Sequence, residues 1–441
     1  MRATLVHRID RHRGPIVLAL LLIVAQLNAL QWQTVWFLRD ILRLDGFIGA
    51  DRTIEVLGWS IVAVAVLRSR REEPDRPLGL PLPAALLLLA TVTLITLHGA
   101  VRLVADGPML PPLRPLLLLV VLAVAARLGS RVVAAATVLA LAPGIVGTLL
   151  VALTGWELAF RGMTRARLLG PDLFEASRLQ GLYPHPNNAG AFAVLLAVIA
   201  MALLVGTRRG IVRISLFALI VTATLVLAAS DSITAAAALF AALAGRLLAP
   251  ALRGLTAKAM VVAALAGGAA LTALPFVLAH RLSPGALTGR VHVWQEVLAA
   301  LTARERRWGI GPEPLLRSSD FRDGLTLLWD AGDAHNTPFE LLLVAGIPGL
   351  VAFGSLATAM LWVALRTLEV SRGWSLPVAI VPLVLGVGEV LFVHGPADGR
   401  DVFLVTVGIL LAWTRESGPP PPTLTDGAQP VSGGQRPEHD R

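Results

Sequence analysis

Three side chains able to hold an anion or take a proton, Arg178, Arg290 and His335, stand in the polar stretches of an otherwise apolar chain. Arg178 precedes the turn Pro184-His185-Pro186-Asn187-Asn188, which feeds an apolar run. Arg290 opens a segment with apolar residues at 291, 294, 297, 298 and 301, the spacing of an amphipathic helix lying along a membrane surface. His335 and Asn336 end a polar stretch, and an apolar run broken by Gly346-Ile347-Pro348-Gly349 follows at once. A guanidinium grips phosphate through paired N–H donors. Imidazole is the side chain that exchanges a proton near neutral pH, which suits a base for a hydroxyl. Two arginines and a histidine on one surface therefore suit transfer from a phosphate-bearing leaving group to an acceptor hydroxyl.

Each residue also has a plainer use. Asn187 and Asn188 after prolines are ordinary helix-start signals, and His335-Asn336 could cap the next helix. Trp294 suits anchoring at a membrane interface. Arg290 resists such an account, because the dipole at the start of a helix disfavours a cation unless an anion is near. Asp330, Asp333 and His335 have too few acids around them for a divalent ion, so no metal or cofactor is expected. The turn Trp308-Gly309-Ile310-Gly311-Pro312, after Arg304, Arg306 and Arg307, reads as solvated and basic.

The elements that must position these residues are set by composition. The chain has 441 residues, of which 55% are hydrophobic and 15% charged, with a mean hydropathy of +0.72. Soluble domains carry roughly 25% charged residues. Apolar blocks of membrane-crossing length recur at 15–34, 54–67, 80–101, 115–128, 132–153, 187–206, 211–229, 233–249, 259–280, 338–365, 375–393 and 402–414. The expected fold is all-α, a polytopic membrane bundle of about twelve spans with two long outer loops, 154–186 and 281–337. The first block lacks a small-residue cleavage site and reads as an anchor. Without cysteine there is no disulfide, iron–sulfur or thiolate site.

Basic residues cluster in alternate connections: Arg68, Arg70 and Arg71; Arg127 and Arg131; Arg208, Arg209 and Arg213; Arg246, Arg253 and Lys258; Arg366 and Arg372; Arg415. The positive-inside rule makes these cytoplasmic, with both termini inside and Arg178, Arg290 and His335 outside. The net charge of +9 fits loops facing anionic membrane lipids, and no nucleic-acid partner is needed. The expected organisation is N-terminal membrane helices over 1–153, a catalytic membrane region over 154–415, and a Pro/Gly-rich disordered tail over 416–441.

Taken in order, the motifs resemble those of the O-antigen ligase and polysaccharide polymerase superfamily. They are Arg178-Gly181-Pro186-Asn187, then Gly289-Arg290-Trp294 with Gly309 and Gly311, then His335-Asn336 with Gly346-Ile347-Pro348-Gly349-Leu350. The resemblance implies a bacterial cytoplasmic-membrane glycosyltransferase with an undecaprenyl-diphosphate-linked glycan as donor. The acceptor would be a hydroxyl of a glycan, lipid or protein, used on the extracytoplasmic face, without metal and with inversion. By the same resemblance Arg178 and Arg290 hold the diphosphate, and His335 activates the acceptor. His185, Asn187, Trp294 and Asn336 join them in binding substrate. Two positions depart from the pattern: Asp231 stands where many members have arginine, and Val344 where many have glutamate. The alternative is a transporter or flippase of a polysaccharide intermediate, which would place charges near the midplane of its spans. Nearly all the charge here lies between the apolar blocks.

Overall fold

The computed structural model describes residues 82–106, 128–154, 160–161, 178–183, 185–310, 334–391 and 403–417. The expected spans 15–34 and 54–67, all but the last residue of 115–128, and Asp330, Asp333 and Gly311 lie outside them.

The apolar blocks form helices: α1 (Leu82–Asp106), α2 (Ser130–Leu153), α3 (Pro186–Gly206), α4 (Gly210–Ser230), α5 (Ile233–Leu252), α6 (Ala257–Arg281), α7 (Arg290–Ala300), α8 (Ala303–Trp308), α9 (Thr337–Arg366), α10 (Ser375–Gly388) and α11 (Leu404–Glu416). A two-residue antiparallel ladder joins β1 (Phe160–Arg161) to β2 (Arg178–Leu179), pairing Arg161 with Arg178. The protein is a helical, multi-pass membrane bundle. Among the described residues six helices, α2 to α6 and α9, are long and apolar enough to cross a bilayer. Their ends fall within three residues of the boundaries expected from the sequence.

Polar residues at the boundaries set those ends. Ser232 and Thr256 accept hydrogen bonds from Ala235 N and Ala259 N and start α5 and α6. Asn336 accepts from Phe339 N at 2.9 Å and starts α9. Asp231 ends α4 in a left-handed conformation, with φ 48°.

Two helices organise the rest. α9 packs against α1, α6, α8, α10 and α11, and α3 packs against α2, α4, α5 and α10. Nearly every residue of the first half of α3 is buried, down to Phe192, which stacks between Tyr183 and Phe403. By contrast α4, α5 and α6 expose large apolar side chains such as Phe217, Phe240, Leu247 and Val262, the surface a lipid phase would cover. Because α1 and α2 share a core with α3, α9 and α11, the expected N-terminal and catalytic regions are one packed body among the described residues. Glu416, expected to open the tail, is the last residue of α11, and its carboxylate holds Ser130 N and Oγ at the start of α2.

The Gly346-Ile347-Pro348-Gly349 motif breaks α9 into two segments. Gly346 has φ 63° and ψ −147°, and Pro348 has no N–H to donate. The turn after α8 fills the break. Ile310 N donates to Leu343 O at 2.7 Å, an acceptor that in an unbroken helix would serve residue 347. Gly309 (φ 81°) and Gly346 meet so closely that a Cβ on either would lie 2.5 Å from the other segment's backbone. This turn is docked into the kink, not simply solvated as expected from its charge.

Candidate functional site

One end of the bundle gathers the start of α3, the α4–α5 turn, the start of α7, the start of α9 and the end of α10. The sequence called for a span over 375–393, but α10 stops at Gly388 and Glu389 follows in extended conformation. Glu389, only 7% exposed, is the point where the candidate residues meet. Its Oε1 accepts from Arg290 Nη2 at 2.7 Å and from Asn187 Nδ2 at 2.7 Å. Its Oε2 lies 3.9 Å from His335 Nδ1, too long for a hydrogen bond. Asn187 in turn accepts at Oδ1 from Arg178 Nη2, 2.6 Å away. Arg178, Asn187, Glu389, Arg290 and His335 thus form one connected cluster.

Each cation has a local anchor. Arg178 sits at the end of α4, donating through Nε to Ser230 O at 3.1 Å and through Nη2 to Asp231 O at 2.9 Å. A cation at a helix C-terminus also faces the favourable end of the dipole. Asp231 therefore engages Arg178 mainly through its backbone. Its carboxylate, 77% exposed and 4.0 Å from Nε, adds little. Arg290 donates through Nη1 to Thr234 Oγ1 at 3.0 Å, which leaves other guanidinium donors for a ligand. It does lie at the unfavourable end of its helix, and Glu389 is the anion that offsets this.

His335 is held in a left-handed backbone conformation, φ 47°. Such a conformation is uncommon for a residue with a Cβ and persists only where its surroundings over-determine it. Here they do. Trp294 Nε1 donates to Ala334 O at 2.8 Å, and Glu340 Oε2 accepts from Ala334 N at 3.2 Å. Asn336 caps α9 and donates to Val387 O, and Thr337 Oγ1 donates to Glu389 O at 2.9 Å. The turn carrying His335 is therefore tied to both α7 and the end of α10.

Some expected roles change. Trp294 is 1% exposed and stacked on Phe339, with centroids 5.4 Å apart, so it supports the His335 turn from behind and does not anchor the protein at an interface. The helix expected to lie along the surface, α7, buries Val291, Val293, Trp294 and Val297 against its neighbours. Its C-terminal carbonyls at Leu298 and Leu301 accept from Arg306, which gives the basic turn a structural use. Asn187 does not cap α3. His185 does, its Nδ1 accepting from Asn187 N at 3.1 Å, and this frees the Asn187 amide for Arg178 and Glu389.

Glu389, Thr234 and Thr337 did not emerge from the sequence. The available signal was a lone carboxylate inside an apolar block, after Gly386-Val387-Gly388. An ionisable residue there is a site candidate in its own right. On α8, by contrast, the carboxyl of Glu305 is held below the ordinary carboxylate range by the Thr302 hydroxyl and then the Thr302 N–H, in a capping box at the solvent surface. Among known proteins the chain matches no family model and no curated sequence.

Proposed function

We propose that the protein is a glycosyltransferase of the O-antigen ligase or polymerase type. It would move glycan from an undecaprenyl-diphosphate carrier to an acceptor hydroxyl at the outer face of a bacterial cytoplasmic membrane. In this reading the chain crosses the membrane about twelve times with both termini inside, and the Glu389 end of the bundle is the outer one. The observation that carries the proposal is the convergence of Arg178, Arg290 and His335, far apart in sequence, through Asn187 and Glu389.

The chemistry follows from those residues. The acceptor oxygen attacks the anomeric carbon as the bond from that carbon to the diphosphate oxygen breaks. Attack opposite the leaving group inverts the centre. His335 takes the proton of the acceptor hydroxyl, and Glu389 lies beside the ring as a counter-charge. The departing diphosphate gathers charge and is met by the guanidinium groups of Arg290 and Arg178. Preorganised donors of this kind contribute on the order of 3–4 kcal/mol each to transition-state stabilisation.

A flippase of a polysaccharide intermediate is the competing reading. It draws support from Glu340 and Glu389, buried carboxylates in segments that the sequence presents as almost charge-free. Both, however, lie at helix ends, Glu340 in the first turn of α9 and Glu389 just beyond α10. Transport sites are built near the midplane.

Reconstituted protein with a lipid-diphosphate glycan donor and a hydroxyl acceptor tests the proposal. His335→Ala is expected to insert normally and lose transfer. Arg290→Lys should be poor, because an ammonium cannot reproduce the guanidinium fork. Full transfer by His335→Ala would falsify the assignment of the base.

A further inference from the structure

The opposite end of the bundle holds a cavity of about 240 Å³. It is walled by the start of α2, the end of α3, the α9–α10 turn and the end of α11. Its polar side carries Arg131 and Arg372, both exposed, and its apolar side Ile199, Leu203, Val378 and Ile409.

The two arginines are only loosely committed among the described residues. Arg372 reaches Val205 O at 3.5 Å, the limit of a hydrogen bond. The Arg131 guanidinium lies against the end of α3, its Nη2 2.9 Å from where a Cβ on Gly206 would be, and it pairs with no acid among the described residues. Glu416 also lines the cavity, but both its oxygens already accept from Ser130, at 2.7 and 2.8 Å. Two arginines against one carboxylate leave the lining with a net positive charge. Arg372 also occupies a left-handed position, φ 54°, in a turn closed by Gly373 N donating to Leu368 O at 2.7 Å. Asparagine or glycine fits such a position at less steric cost than arginine does.

We propose that this cavity is a binding site for a phosphate group, separate from the Glu389 site and at the other end of the bundle. Guanidinium groups match phosphate in charge and donor geometry. A space of about 240 Å³ holds several waters, enough for a phosphodiester and the atoms next to it. The apolar wall would take the first methylenes of a chain, and basic pockets between membrane helices do bind acidic head groups. The phosphate can come from a lipid head group or from solution, and one experiment separates the two.

The full-length protein in a neutral detergent is unfolded thermally with added phosphatidylglycerol, phosphatidylcholine or inorganic phosphate at matched ionic strength. The same series is run on Arg131→Gln/Arg372→Gln and on Arg372→Asn. The asparagine variant suits the left-handed turn, so it removes the cation while keeping the fold. Arg208→Gln/Arg209→Gln, next to the cavity but outside its lining, controls for general basicity. The expected result is stabilisation by phosphatidylglycerol over phosphatidylcholine, lost in Arg131→Gln/Arg372→Gln, kept in the control, and shifted in Arg372→Asn to about tenfold higher lipid concentration. Stabilisation by inorganic phosphate alone, lost in the same variants, supports the site with a soluble source. Stabilisation undiminished in the cavity variants, or none from phosphatidylglycerol or inorganic phosphate, overturns the proposal.

Discussion

Replacing Glu389 should disturb both the architecture of the site and its chemistry, and the size of the effect can be worked from the contacts. The Arg290–Glu389 pair is 2.7 Å between nitrogen and oxygen, with the two side chains only 13% and 9% exposed. Two unit charges about 4 Å apart attract by about 4 kcal/mol at an effective dielectric constant of roughly 20. Desolvation opposes much of that, but it has already been met in the folded protein, so removing one partner strands the other. Glu389→Ala leaves the Arg290 charge and the Asn187 amide without their shared acceptor, a loss of about 3–5 kcal/mol. Glu389→Gln keeps an oxygen where Oε1 now accepts both bonds but removes the negative charge, so the Asn187 bond becomes neutral and the Arg290 bond is charge-assisted through the guanidinium alone. Its loss should be about half as large. A double-mutant cycle with Arg290→Gln isolates the pair, read as unfolding free energies in mixed micelles. A coupling of about 2–3 kcal/mol is expected, against the ~0.3–0.5 kcal/mol within which independent sites add. Coupling inside that additive range, together with a stable Glu389→Ala protein, would refute the view that Glu389 organises the cluster.

Other perturbations probe the supports. Trp294→Phe keeps the stack on Phe339 but orphans Ala334 O, at a cost of about 1–3 kcal/mol; transfer should fall more than this stability loss implies, and unchanged kcat would mean the His335 turn stands without the indole. Gly346→Ala places a Cβ 2.5 Å from Arg307 backbone at φ 63°, so it should lower the unfolding temperature of the purified protein sharply; a variant as stable as wild type would show that the turn after α8 is not seated in the kink. Glu305 contributes stability to α8 that is present above the ordinary carboxylate pKa and lost as pH falls through its own lowered value. Protection of the amides over 303–308, taken relative to the intrinsic exchange rate at each pH, should therefore fall only in acid, and at a higher pH in Thr302→Ala; identical profiles would remove the capping box as the cause.

The membrane helices were legible because their signal is local: an apolar block long enough to cross, bounded by Ser232, Thr256 or Asn336. Arg178, Arg290 and His335 were legible for another reason, as polar groups in loops that return to a bundle. Their shared partner was not. Glu389 sits inside what reads as a continuous apolar block, and only the stop of α10 at Gly388 turns it into an end-of-helix residue facing three other elements. The problem posed by Arg290, a cation at a helix start, was visible in the sequence, but its solution lay 99 residues away. Similarly, Asn187 looked like a cap because it follows a proline, whereas His185 takes that place and leaves Asn187 to bridge. The Trp308–Ile310 turn reads as solvent-facing because its seat is made by Gly346, which contacts it only in the folded bundle.

The proposed glycan transfer is tested most directly in a strain lacking the protein, complemented with wild type or with His335→Ala, by analysing lipid-linked and surface glycans together. The account predicts glycan stranded on the diphosphate lipid in the deletion and in the His335→Ala strain, and release of that glycan by wild type. Long stranded chains would mark a ligase and single stranded repeats a polymerase. Unchanged lipid-linked and surface glycans in the deletion would contradict the account.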